Sequence, residues 1–178
     1  MTHAPQRLGN LLGALASSVS TQIDHATTVA AGQGGGAPAA LVQLAQHRDL
    51  SVDDLRRRLN LTHSAVVRLL DRLADRGLIS RDRSDEDGRR RRLSLTPAGE
   101  ALAGVVLDAR ARVLAAALGP LDARERGLLE GILDRLLLAL PTSADHSSQV
   151  CRLCCLRDCP ADRCPVEDRY QEYVRLES

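Results

Sequence analysis

All five cysteines of this chain lie between residues 151 and 164. Four of them, Cys151, Cys154, Cys159 and Cys164, follow the spacing C-x2-C-x4-C-x4-C, with Cys155 as an extra. Four thiolates this close in sequence can close a tetrahedral site around zinc without help from the rest of the chain. Metal binding would also order a segment too short and polar to order itself. Two other chemistries use the same residues. An iron–sulfur cluster takes all-cysteine ligation, and Pro160 and Pro165 directly follow cysteines, as at cluster ligands. A metal-free redox switch would use Cys154 and Cys155, whose thiol pKa Arg152 and Arg157 would lower. The plainest reading is a tail with ordinary thiols. Zinc on the four cysteines is preferred, with an iron–sulfur cluster as the alternative. Histidines 3, 25, 47, 63 and 146 show no ligand spacing, and only His146 lies near the cysteines in sequence.

The second chemistry-bearing set is arginine. All 24 basic residues are Arg, against 23 acids and a net charge of +1, so nothing in the total attracts nucleic acid and any basic surface must be local. Two places concentrate it. Arg68 and Arg72 follow an apolar stripe in the stretch Leu61–Leu73, and four arginines in a row, 89–92, follow the turn residues Asp85, Asp87 and Gly88. Arginine makes bidentate contacts to guanine in a major groove and is drawn into narrow minor grooves. The competing reading is arginines that merely coat exposed helices and a loop. No nucleophile–base set or paired carboxylate stands out, so an enzyme is not expected.

The elements that must position these residues are mostly helical. Aromatics are 1% of the chain, with no Phe or Trp, so Leu, Val and Ala must fill the core, which favours helix on helix. Apolar residues from Leu8 to Ala30 recur at helical spacing until the glycines of 32–36. Ala39–Gln46 gives a short helix. Ser51 with Asp54 is a capping box for a helix over Val52–Leu59, and Thr62 caps the next. There Val66, Leu69, Leu70 and Leu73 form one buried face and Gly77 ends the helix. Leu78–Ser80 and Leu93–Leu95 make a hairpin. Thr96-Pro97 starts a long helix to Leu118, and Asp122 with Glu125 caps another to Leu140. Leu128, Ile132, Leu133, Leu136 and Leu140 give that helix a broad apolar stripe in need of a partner. Residues 141–149 read as a polar linker.

The stretch Leu61–Leu73 (LTHSAVVRLLDRL), Arg76-Gly77-Leu78-Ile79 after it, and DGRRRRLSLTPAG over Asp87–Gly99 together resemble the MarR family of winged helix-turn-helix regulators, over roughly residues 5–140. The resemblance implies a mainly α fold with a small β-hairpin wing, a winged helix-turn-helix plus a helical dimerisation region. It divides the chain into a domain over 1–140 and a linker with a cysteine-rich metal-binding tail over 141–178. Within the domain, 1–36 and 98–140 would be dimerisation helices and 39–96 the DNA-binding lobe. It also implies a homodimer on a palindromic operator of double-stranded DNA, acting as a transcription repressor. By motif position the groove-reading residues are His63, Ser64, Ala65, Val67 and Arg68, with Arg72 nearby. Asp87 and Arg89 form the wing pair, and Arg89 or Arg90 enters the minor groove. Val67 departs from the polar residue many members carry. The cysteine spacing is similar to that of a zinc knuckle, with Cys159 in the histidine position.

The expectation is therefore a dimeric DNA-binding regulator with a four-cysteine metal site that is structural or senses metal or oxidant. The rival is a thiol- or metal-handling protein that uses its helices only to dimerise. Without a signal-peptide pattern, or an apolar run near the roughly 18 residues of a membrane helix, a soluble cytoplasmic protein is expected, with no membrane partner. Because 39–96 contains no cysteine, a signal from the tail is expected to reach it through the dimerisation helices.

Overall fold

The computed structural model describes residues 4–83 and 91–176, with the backbone alone at 4–5, 81–83, 91 and 92. Eight helices and one hairpin are seen among the described residues: α1 (Ala4–Ala31), α2 (Ala37–Gln46), α3 (Val52–Leu59), α4 (His63–Asp75), β1 (Ile79–Arg83), β2 (Arg91–Leu95), α5 (Pro97–Leu118), α6 (Ala123–Ala139), α7 (Ala144–Val150) and α8 (Pro165–Leu176). A 3₁₀ turn at Ala161–Arg163 precedes α8. The strands pair antiparallel, from Ile79 opposite Leu95 to Arg83 opposite Arg91. The architecture is mainly α with a small β-hairpin, as expected. No described helix is long and apolar enough to cross a membrane.

Helix α2 is the hub. Every residue from Ala37 to Leu44 is buried, and Pro38 sits in its first turn, where a missing N–H costs nothing, so the helix starts two residues earlier than the sequence suggests. Around it Leu55 and Leu59 of α3, Val66, Leu69, Leu70 and Leu73 of α4, Leu78, Ile79 and Leu93 of the hairpin, and Ala103 and Val106 of α5 make one core. Each leucine buried this fully contributes about 1.5–3 kcal/mol relative to exposure. Helix α1 packs along α5.

The helix starts follow their caps. Ser51 Oγ accepts from the Asp54 amide at 3.1 Å while Asp54 accepts from the Ser51 amide at 3.0 Å, a reciprocal capping box. Asp122 and Glu125 repeat it at α6. Asn60 ends α3 at φ 52°, a left-handed position that Asn tolerates.

Two features depart from the sequence reading. The supposed linker at 141–149 holds α7, capped by Ser143, whose hydroxyl accepts from the His146 amide at 3.1 Å. The chain beyond the cysteines, for which the sequence suggested no element, forms α8. Helix α7 packs on α3 and α8 packs on α6, so the cysteine segment lies against the body of the fold.

Candidate nucleic-acid interface and thiol cluster

Helix α4 has two faces. Val66, Leu69, Leu70 and Leu73 are buried, while His63, Ser64, Arg68 and Arg72 are exposed on the opposite side, with Ala65 and Val67 half-buried between them. Thr62 fixes the start of the helix, its Oγ1 accepting from the Ala65 amide at 3.2 Å. The exposed first turn is made of small side chains, thin enough to enter a groove, and Arg68 stands one turn further along. The structure thus gathers His63, Ser64, Ala65, Val67, Arg68 and Arg72 on one side of one helix. Asp87, Arg89 and Arg90 lie outside the described residues.

The other arginines nearby are occupied. Arg56 pairs with Asp53 at 2.7 Å, and Arg57 with Asp53 at 2.7 Å, Asp54 at 2.6 Å and Asp145 of α7 at 3.6 Å. Arg58 donates to Gln43 Oε1 at 3.0 Å and lies 3.3 Å from His47 Nε2. Burial pushes the Asp54 carboxyl up, but hydrogen bonds from Ser51 and Arg57 outweigh it and hold the group below the usual carboxylate range. Arg76 ties the end of α4 to the end of α1 by donating to the Ala31 carbonyl at 3.0 Å and Gln33 Oε1 at 3.2 Å. The base of the wing is pinned by Thr96, which donates through Oγ1 to the Gly77 carbonyl at 2.7 Å and through its amide to the Leu78 carbonyl at 3.0 Å.

The four spaced cysteines come together. Cys151 lies within electrostatic reach of Cys154 and Cys164, and Cys159 within reach of Cys164, which is buried. The neighbouring Cys151 brings the Cys154 thiol down to about 6, against burial and helped by the Arg110 guanidinium of α5. Burial and then Cys164 raise Cys159 to about 11. Cys151 is pushed up by the neighbouring Cys154 and by burial. Among the described residues, no group of three or more Cys, His, Asp or Glu side chains is placed to hold a metal ion. Zinc–sulfur bonds of about 2.3 Å would bring the sulfurs to about 3.8 Å from one another. The donor type suits such an ion, since four soft sulfurs lie in one short segment beside Arg110, but their placement here does not form the site. Pro165 is the first residue of α8 and Pro160 caps the 3₁₀ turn, which accounts for both prolines without a cluster.

Sequence reading missed the residues that seat this cluster. Arg110 lies 4.0 Å from Cys154 Sγ, and Asp134 of α6 lies within electrostatic reach of Cys159. Gln43 and Gln46 of α2, and Gln149 of α7, bond main-chain groups across the fold. A signal existed for the first two: they are the polar residues of the apolar run ALVQLAQ, and their spacing puts them on one face.

A sequence profile described as the MarR family matches residues 36–90. An uncharacterized HTH-type transcriptional regulator of Bacillus subtilis, YdgJ, is 33% identical over 97 residues, 54% of this chain, and the match spans 59% of that relative's length. The YusO protein of Bacillus subtilis has a similar crystal structure, with 26% identity and a TM-score of 0.65 over 75% of this chain and 94% of that one. The Mycobacterium tuberculosis MarR family protein Rv2887, solved with salicylic acid, is 27% identical with a TM-score of 0.57 over 72% of this chain and 95% of that one. A complex of the same protein with DNA aligns at 24% identity and a TM-score of 0.58, a likeness of fold. The profile match covers α2 to the wing, the same stretch in which α4 sets a basic face opposite a buried one: over residues 36–90 the chain matches the MarR family of winged helix-turn-helix regulators.

Proposed function

We propose that this protein is a dimeric, sequence-specific DNA-binding transcription repressor whose four cysteines, Cys151, Cys154, Cys159 and Cys164, hold one zinc ion. The observation that carries the DNA reading is the exposed face of α4. His63, Ser64, Ala65, Val67 and Arg68 present small and hydrogen-bonding groups to a major groove, and Arg72 stands at its edge. By the family resemblance, Arg89 or Arg90 would serve the minor groove, and Asp87 and Arg89 match the wing pair. A protein of this fold has been solved with DNA, which supports the DNA reading.

A second copy of this chain supplies the rest. One lobe with a net charge of +1 for the whole chain is a weak polyanion binder. Two lobes set about one helical turn apart on a palindrome add their contacts. The unpartnered apolar faces of α1 and α6 support the pairing: Leu8 is 68% and Leu128 61% exposed in the single chain. A dimer seated on an operator excludes polymerase, hence a repressor.

The test selects duplexes from a random pool with the full-length protein, then compares Arg68→Ala and Arg89→Ala with Arg90→Ala on the selected sequence. We expect a palindrome, a loss of about 1–3 kcal/mol for Arg68→Ala with relaxed specificity, and a smaller salt slope for the wing pair. Metal content and visible absorption are measured on the same anaerobic preparation. A colourless protein with one zinc per chain supports the site, whereas a brown one assigns the cysteines to an iron–sulfur cluster. Metal retention with no duplex selected would instead support a thiol- or metal-handling protein that uses its helices only to dimerise.

A further inference from the structure

The cysteine segment is fastened directly to α2 and α3, besides its contact with α5 at Arg110. Gln46, at the end of α2, donates to the Cys154 carbonyl at 2.8 Å and accepts from the Leu156 amide at 2.6 Å, so one side chain grips the main chain on both sides of Cys155. Gln43, 2% exposed, donates to the Arg152 carbonyl at 3.1 Å while its oxygen accepts from Arg58 of α3. Gln149 donates to the Arg57 carbonyl in α3 at 3.1 Å, and Leu153 packs on the core.

This joint is mostly polar. Hydrogen bonds from side chains to main chain exchange for water at small net cost where water can reach them, and the Leu156–Gln46 bond is exposed. Gln43 is different. It is buried, so separation of the segment strands its donor unless α2 and α3 shift to admit water. The lobe beneath α4 therefore registers whether the turn is seated.

We propose that the turn Cys151–Leu156 is a latch: closing the four thiols on a metal ion holds the turn against Gln43 and Gln46 and braces α2 and α3 beneath α4, so that metal loading strengthens duplex binding. The latch rests on the four-cysteine metal site proposed above. By linkage, bound duplex raises metal affinity by the same factor. Gln43 and Gln46 act as positioning residues and touch neither metal nor DNA.

The test uses the full-length protein loaded with zinc(II), or stripped with a chelator under reductant, and a duplex selected as above. Metal per chain is measured first, and a wild-type protein that takes up none overturns the metal site and the latch with it. With metal bound, we expect stripping to weaken duplex binding by about fivefold or more in the wild type. In Gln46→Ala the zinc content is unchanged, but the loaded-to-stripped ratio falls to within about twofold. The Leu156 amide then exchanges with solvent faster even in the loaded protein. Gln46→Glu, which keeps the acceptor for Leu156 and sets a carboxylate against the Cys154 carbonyl, is the second variant and shows the same collapse. Unchanged or tighter binding after stripping of the wild type overturns the latch while leaving the metal site standing. So does a full ratio in both Gln46 variants.

Discussion

Gly99 joins the wing to the long helix α5, and replacing it with alanine tests the geometry of that joint. A Cβ at Gly99 would stand 2.0 Å from the Leu78 carbonyl oxygen and 3.1 Å from Leu95 Cδ2. The nearest obstacle is backbone, so no side-chain rotation relieves it. The first turn of α5 and the α4–β1 junction must part by more than an ångström, and the Thr96 bonds to Gly77 and Leu78 lie in the way. Overpacking of this kind costs about 1–3 kcal/mol, and the higher helix propensity of alanine returns up to about 1 kcal/mol. A net loss of about 1–2 kcal/mol lowers the melting temperature by about 2–8 °C in a chain of this size. Gly104, in the same helix, is the control, because a Cβ there meets nothing within 4 Å. Gly104→Ala should be neutral or stabilise by up to about 1 kcal/mol. Both are read by thermal unfolding followed by far-UV circular dichroism, at equal metal content. Gly99→Ala melting at or above the wild type would refute the close approach of α5 to Leu78. Equal losses at both glycines would refute the reasoning from space.

Three further outcomes follow from the same coordinates. Ile132→Glu with Leu136→Glu places charge on a face of α6 that is not buried within one chain, so the variant should keep its helical content yet run as a monomer in light scattering. An unchanged dimer would move the pairing surface elsewhere. Burial, then Arg58, holds His47 below its ordinary 6.5 against the pull of Glu167, so the unfolded chain binds a proton that the folded chain resists. Stability is then lost as pH falls below 6.5, and His47→Gln should flatten that limb in urea titrations above the carboxylate range. An acid limb identical in both proteins would remove His47 from it. Ser51→Ala removes the hydroxyl that caps the Asp54 amide, while the Asp54 carboxylate keeps the amide of residue 51, and should cost about 1 kcal/mol by the same titration.

The DNA-binding lobe was legible because its signals are local. Ser51, Thr62 and Thr96 cap helices within three residues of themselves, and the i, i+3, i+4, i+7 stripe of α4 needs no knowledge of its neighbours to declare an inner face. The start of α2 was harder, since Pro38 signals both a break and a helix start, and only the burial of Ala37 and Pro38 decides between them. The seat of the cysteines was not legible. Gln43 meets Arg152 across 109 positions and Gln46 meets Cys154 across 108, and no periodicity carries a contact of that span. Helix α7 was missed for a related reason. Its sequence ADHSSQV has poor helix formers and no apolar stripe, and it is held by a cap at Ser143 and by α3.

The placement of charge connects the two halves of the molecule. Arg56 and Arg57 in α3 are paired with acids, and Arg58 faces Gln43 and His47, so the cations of α3 hold the lobe together and meet α7. Arg68 and Arg72 are instead exposed on α4. The chain thus spends one arginine group on internal ties and presents another outward. The internal group is the one that touches the cysteine segment, through the Arg57 carbonyl, the Arg57–Asp145 pair and the Gln43 amide shared by Arg58 and Arg152. A change at the thiols meets α5 at Arg110 and reaches α3 through Gln43 and Gln149, and α3 packs directly on α4. One physical route from the cysteine segment to the exposed face of α4 runs through α2 and α3, within a single chain.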